Sequence, residues 1–205
     1  ATIIGISPTD SLNVTIQETG EKETVYSFGE YMRRFIKECK ELGAHPILVS
    51  LTPRNAWDEK NPGHIARVNN TFGLWSKQIA EEQDIPFLDL NETSATKLES
   101  FSTWKVNYHF YLDKIHTSDF GARMNAHSAV ETLQKCTHPS LKSLQDCLIN
   151  ITPSRCDASR QKGKPAVFIT GDSTVKNEDK ATDGMWGWGS QASTIFDTDK
   201  ICVFN

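Results

Sequence analysis

The run "SFGEYMRRFIKECKELGAHPILVSL", residues 27–51, constrains the fold more than any other stretch of the chain. Its apolar residues Phe28, Tyr31, Met32, Phe35, Ile36, Cys39 and Leu42 recur at the three- and four-residue spacing of one helix face. The spacing predicts a helix over Ser27–Leu42, stopped by Gly43, with Tyr31 and Phe35 in the core. "PILVSL", Pro46–Leu51, follows as a short continuous apolar run, which predicts a strand covered on both faces. The pattern then repeats, with a helix through Ile65, Val68, Phe72, Trp75 and Ile79 and a strand "PFLDL" at Pro86–Leu90. Two successive helix-then-strand units place the chain in the α/β class with a parallel sheet. Further helices are expected near Thr93–Phe101 and, beyond His116, through Ala122, Met124 and Leu133.

With 205 residues, 38% of them apolar, the chain is long enough for one α/β domain with a substantial core, or for parts of two. The formal charge of −4 comes without a basic run or an arginine-rich helix, so no phosphate-neutralising surface is expected and nucleic acid is not an expected partner. No apolar stretch approaches the ~18 residues of a membrane helix, so no membrane partner is expected. Ala1 opens without a charged segment followed by an apolar one, so any leader lies outside these residues. Cys39 and Cys202 fall on apolar patterns and read as buried thiols; for Cys136, Cys147 and Cys156, free thiols and one local disulfide fit equally. Sequons at Asn13, Asn69, Asn91 and Asn150 do not by themselves fix a compartment.

Residues 149–164, "INITPSRCDASRQKGK", are polar, carry Pro, Gly and Ser, and have neither a helical nor a strand period, so they read as a linker. Beyond them come an expected strand at Ala166–Thr170, a turn "GDST" presenting Ser173, a Gly/Trp segment "DGMWGWGSQ" and an expected strand at Lys200–Asn205. In open α/β sheets ligands collect at the carboxyl ends of strands, which is where this hydroxyl stands. The plainer reading of the turn is that Asp172 and Ser173 cap a following helix. Asp113 and His116 weigh against it. A serine nucleophile needs a neutral imidazole to take its proton, and the imidazole needs a carboxylate to fix its tautomer. A three-residue separation lets an aspartate reach the near ring nitrogen while the far one points outward. A surface ion pair at a helix start is the competing reading of these two residues, with Thr117 or Ser118 as the cap. A metal site built from His109, Asp113 and His116 is another, but it leaves "GDST" unexplained.

Taken together, "VFITGDSTVKN", "GWGSQ", "ETVYSFGEYMRRFIKECKELGAHPILVSLTPRNAW", "PFLDLN" and "DKIHTSDFGARMNA" resemble the SGNH (GDSL-type) hydrolases, in their rhamnogalacturonan acetylesterase-like branch. The resemblance implies a flavodoxin-like three-layer α/β/α fold with a parallel sheet. It implies Ser173 as nucleophile, His116 as base and Asp113 as its orienting acid. It further implies a carbohydrate acetylesterase acting without a cofactor or metal on acetylated plant cell-wall polysaccharide, typically pectic rhamnogalacturonan. Such a substrate places the protein outside the cell or in the periplasm. Arg54, Asn55 and Trp57 in "TPRNAW" follow a strand end and are candidates to line the substrate cleft, with Trp57 offering a face to a sugar ring. Trp57 covering the core edge is the equal alternative. Trp186 and Trp188 read as packing residues around a glycine turn.

In the family the serine block comes first and the Asp/His block last, and here the order is reversed around the linker. Residues 1–148 read as the C-terminal part of an SGNH domain and residues 165–205 as the N-terminal part of one. They belong either to two tandem copies or to one circularly permuted domain. Two family blocks are absent, a glycine block expected after Asn205 and a Gly-x-Asn-Asp block expected before Ala1. They supply oxyanion-hole donors, and losing one such donor typically costs ~100- to 1,000-fold in rate. The sheet is therefore expected to lack its central strand, and a tandem or domain-swapped partner domain is the expected protein partner. A scaffold that binds polysaccharide without turnover is the alternative function.

Overall fold

The computed structural model describes residues 5–148, 163–175 and 185–204. Residues 149–162 of the expected linker, Cys156 among them, and residues 1–4 lie outside them. The described residues form a mixed α/β protein in two compact units, one made of residues 1–50 and 69–87 and the other of residues 51–68 and 88–205.

In the first unit, strands β1 (Ser11–Thr15) and β2 (Lys22–Tyr26) pair antiparallel. This hairpin has a sequence signal, the alternation in "LNVT" and "ETVY" on either side of Gly20, whose φ is 71. Helix α1 (Phe28–Glu41) follows, capped by the Ser27 hydroxyl accepting from the Glu30 N–H. It ends where expected. Gly43 adopts φ 75, its N–H donates to Lys40 O at 3.0 Å, and the Ala44 N–H donates to Cys39 O at 2.9 Å. That pair of bonds satisfies the last carbonyls through a left-handed residue that favours glycine. The expected core face is only half right. Ile36 is buried, packing with Ile79, Ala80 and Ile85 and flanked by Met32, but Tyr31 and Phe35 are exposed, Phe35 to 62%. A stripe of seven apolar positions is wider than the surface that α2 offers α1, so one flank is left in water.

Strand β3 (Leu48–Val49) pairs with β4 (Phe87–Leu88). β3 is half-buried, not covered on both faces, and Leu51 just beyond it is exposed. Helix α2 (Phe72–Glu82) starts seven residues later than the Ile65 periodicity suggested. The backbone of 64–68 is committed elsewhere: Ile65 bridges Trp57, its N–H donates to Glu99 Oε1 at 2.8 Å, and the Val68 N–H donates to Asn91 Oδ1 at 3.2 Å. Tertiary partners for these amides outweigh local periodicity. Within the first unit Arg33 on α1 forks onto the Glu82 carboxylate of α2 through Nε at 2.8 Å and Nη2 at 2.6 Å.

The second unit holds α3 (Leu90–Glu99), capped by the Asp89 carboxylate, then α4 (Thr103–Tyr108) and α5 (Asp119–Lys135). α5 turns small residues, Gly121, Ala122, Ala126, Ser128 and Ala129, inward, while α3 buries Asn91, Ser94, Ala95 and Leu98. Small side chains let two backbones approach closely, and Thr132 on α5 donates to Thr93 on α3 at 3.0 Å. α6 (Lys142–Gln145) and α7 (Gly189–Ala192) are single turns. Strands β5 (Ala166–Phe168) and β6 (Cys202–Phe204) pair in parallel. The antiparallel bridge between Leu148 and Phe196, with the Asp197 N–H on Cys147 O at 2.9 Å, joins the residues before the linker to those after it.

Among the described residues the sheet, expected to lack its central strand, stands as separate two-stranded ladders, β3–β4 and β5–β6, beside the β1–β2 hairpin. Cys39, Cys136, Cys147 and Cys202 are free thiols. Among the described residues no helix is long and apolar enough to cross a membrane.

Candidate active site

The loop from Phe110 to Thr117 is closed at its base by an antiparallel bridge between those two residues, and the Tyr111 N–H donates to His116 O at 2.7 Å. A turn from Tyr111 to Lys114 forms the tip, with the Lys114 N–H on Tyr111 O at 3.2 Å and Lys114 itself in the left-handed region at φ 63. That reversal folds the Asp113 side chain back over its own loop. Its Oδ1 accepts the N–H groups of Ile115 and His116, each at 2.9 Å, and its Oδ2 accepts from His116 Nδ1. The hydrogen bond from the His116 ring, followed by the two backbone N–H bonds, draws the Asp113 carboxyl down to about 2.

Above that pH Asp113 is ionised and only accepts, so His116 Nδ1 carries the proton. The neutral ring then presents the Nε2 lone pair outward. The Ser173 hydroxyl lies 2.7 Å from Nε2. Ser173 comes from the turn after β5, in which Asp172 Oδ1 accepts from the Thr174 N–H at 2.9 Å and the Thr174 hydroxyl at 2.7 Å. Asp172 thus closes its own turn, and no helix begins at residues 172–175. Gly171 is there for space: its φ is not positive, but a Cβ would fall 2.5 Å from Val175 Cγ2. Ser173 is exposed, and the Asp113 side chain is 43% exposed, so the array is open to water.

The other expected site residues divide. The Asn55 N–H donates to Lys114 O at 2.9 Å and its side-chain amide donates to Asn107 Oδ1 at 2.8 Å, which sets "TPRNAW" beside the Asp113 loop. Arg54 is exposed. Trp57 is half-buried against Ile65, Leu98, Val106 and Phe110, so its ring covers the core edge. His109 is directed away from Asp113 and His116, with Nδ1 2.9 Å from Lys105 O and its ring stacked on Phe101. His64 lies 3.3 Å from Glu99, and His138 bonds Ser140 at 2.8 Å. Sequence reasoning missed Asn107 and the part played by Thr117. The Trp186 N–H donates to Thr117 O at 2.8 Å, and the Trp188 N–H donates to Thr174 O at 3.0 Å. The only sequence hint was the adjacency of those threonines to His116 and Ser173.

No protein-family model matches the chain. Over 78 residues, 37% of the chain, it is 28% identical to rhamnogalacturonan acetylesterase RhgT of Bacillus subtilis, a stretch covering 32% of that protein. Over 107 residues, 52% of the chain, it is 26% identical to the rhamnogalacturonan acetylesterase of Emericella nidulans, covering 42% of it. A solved Bacillus subtilis protein, YXIM, aligns with 52% of the chain and 30% of its own length at 26% identity and a TM-score of 0.48. The chain spans less than half the length of the curated relatives it matches. The two named relatives support a relation to SGNH-type esterases at that level.

Proposed function

We propose that the chain carries a serine esterase site that removes acetyl groups from carbohydrate, with pectic rhamnogalacturonan-type polysaccharide as the substrate. The observation that carries this reading is the continuous hydrogen-bonded series Asp113–His116–Ser173, with Nε2 and Oγ 2.7 Å apart. That separation lies within the reach a general base needs. Ser173 Oγ attacks the acetyl carbonyl carbon while His116 Nε2 takes its proton. His116 then returns the proton to the departing sugar oxygen, leaving an acetyl-enzyme. Water, activated by the same ring, releases acetate and restores Ser173. Asp113 holds the ring tautomer and stabilises the imidazolium. The proton transfers of this reading need no cofactor. Arg54 and Asn55 are the substrate-contacting residues of this reading, and a substrate of this kind goes with a location outside the cell or in the periplasm.

The meeting of Ser173 and His116 within one chain favours one permuted domain joined through residues 149–164 over two truncated tandem copies. For the developing oxyanion the Ser173 N–H stands without a hydrogen-bond partner among the described residues, whereas the Thr174 N–H is committed to Asp172. With that one such donor among the described residues, a second reading is a scaffold that binds acetylated glycan without turnover. Acetate release from acetylated rhamnogalacturonan and from 4-nitrophenyl acetate separates the two. Release that is lost in Ser173→Ala supports the esterase. Glycan binding equal in wild type and Ser173→Ala, with no acetate formed, supports the scaffold.

A further inference from the structure

Residues 186–188 touch both halves of the proposed site at the backbone. Here the Trp186 N–H meets the carbonyl of the residue after His116, and the Trp188 N–H meets the carbonyl of the residue after Ser173, at 2.8 and 3.0 Å. The first contact is reciprocal, because the Thr117 hydroxyl donates back to Trp186 O. Thr117 also bridges Phe110 on its other side, so its backbone is held between the two segments. It is 4% exposed, and Trp188 is 8% exposed, so water competes little for these bonds.

We propose that Thr117 is a positioning residue of this site, clamping the Trp186–Trp188 segment as a brace that fixes the separation of His116 and Ser173. The inference rests on the serine-esterase reading. His116 and Ser173 lie on separate loops 57 residues apart, and the Ser173 turn is exposed. Something must hold the two loops at the distance of one hydrogen bond. Thr117→Val keeps the shape of the side chain and removes the donor, leaving Trp186 O with one bond fewer. Thr117→Ser keeps the donor.

The test pairs kinetics with amide hydrogen exchange in the full chain. In Thr117→Val, kcat for 4-nitrophenyl acetate is expected to fall about tenfold or more with KM little changed, because a misplacement well under 1 Å is costly to a proton-transfer pair. Thr117→Ser is expected to restore kcat. The Trp186 and Trp188 amides are expected to be protected in the wild type and to exchange faster in Thr117→Val. Unchanged kcat in a folded Thr117→Val protein would overturn the proposal, as would a loss that Thr117→Ser does not rescue. Wild-type Trp186 and Trp188 amides exchanging at free-chain rates would overturn it whether or not any variant folds. A wild-type chain that releases no acetate, yet protects both amides, sinks the esterase reading and the positioning role with it, while the brace stands as structure alone.

Discussion

Gly121, in the first turn of α5, lies directly against the His109 carbonyl: a Cβ built on it would sit 1.9 Å from His109 O and 2.9 Å from Thr117 Cβ. The obstacle is backbone, which cannot rotate away as a side chain can. Gly121→Ala must therefore push the base of the Asp113–His116 loop off the helix. The expected loss of stability is about 3 kcal/mol, the upper end for over-packing, with the proposed acetate-releasing activity falling further than stability explains. Denaturant unfolding and acetate release on the same preparation check it.

Asp113→Asn keeps the size of the side chain but removes the charge and allows the amide to donate to Nδ1. The ring then favours the tautomer with its proton on Nε2, where it cannot accept from Ser173. A drop in kcat of roughly 100- to 10,000-fold is expected, with KM little changed. The lower part of that range is anticipated, since Asp113 is open to water and its charge is screened.

Acid should weaken the fold in a defined window. Glu131, paired with Lys135 and with Lys97 across from α3, is drawn from 4.5 down to about 2, and Asp113 from 3.8 to about 2. A depressed carboxylate contributes stability that is present above its ordinary value and lost as pH falls toward the folded one. Melting temperature is therefore expected to decline from about pH 4.5 to about pH 2. Lys97→Met, which removes the 2.9 Å pair with Glu131, should make that decline shallower. An unchanged slope would show that the pair contributes nothing in solution.

Trp57 and Arg54 stand three residues apart and should behave differently. Trp57→Ala opens the cluster around Ile65 and Val106 and is expected to cost about 2 kcal/mol, less than for a fully buried tryptophan. Arg54→Ala is expected to leave stability within about 0.5 kcal/mol and to raise KM for an acetylated glycan, but not for 4-nitrophenyl acetate. Equal KM on both substrates would remove Arg54 from the proposed substrate site.

Along α1, neighbouring residues should differ as sharply. Ile36→Ala is expected to cost about 2–4 kcal/mol, whereas Phe35→Ser, at a position 62% exposed, should change stability by less than about 0.5 kcal/mol. Thermal melts of the two variants check this pair.

Local chemistry determined what could be read from the residues alone. α1 was legible because its cap at Ser27, its stripe and its glycine stop all lie within one short segment, and each acts through neighbours in sequence. Asp113 and His116 were legible as a pair because three residues of chain bring them together without help. The β1–β2 alternation was present in the sequence but outweighed by the helix-and-strand rhythm that follows it. What only the tertiary structure decided depends on distant partners. The Ile65 and Val68 amides found Glu99 and Asn91 and so stayed out of α2. The flank of α1 that became core was chosen by what packs there, since a spacing marks a face without saying how much of it is covered. The strands were recognisable as short apolar runs, but their assembly into three ladders is a matter of long-range hydrogen bonds. Ser173 and His116 meet across 57 residues because backbone bonds from Trp186 and Trp188 hold their loops, and no local propensity encodes such a contact.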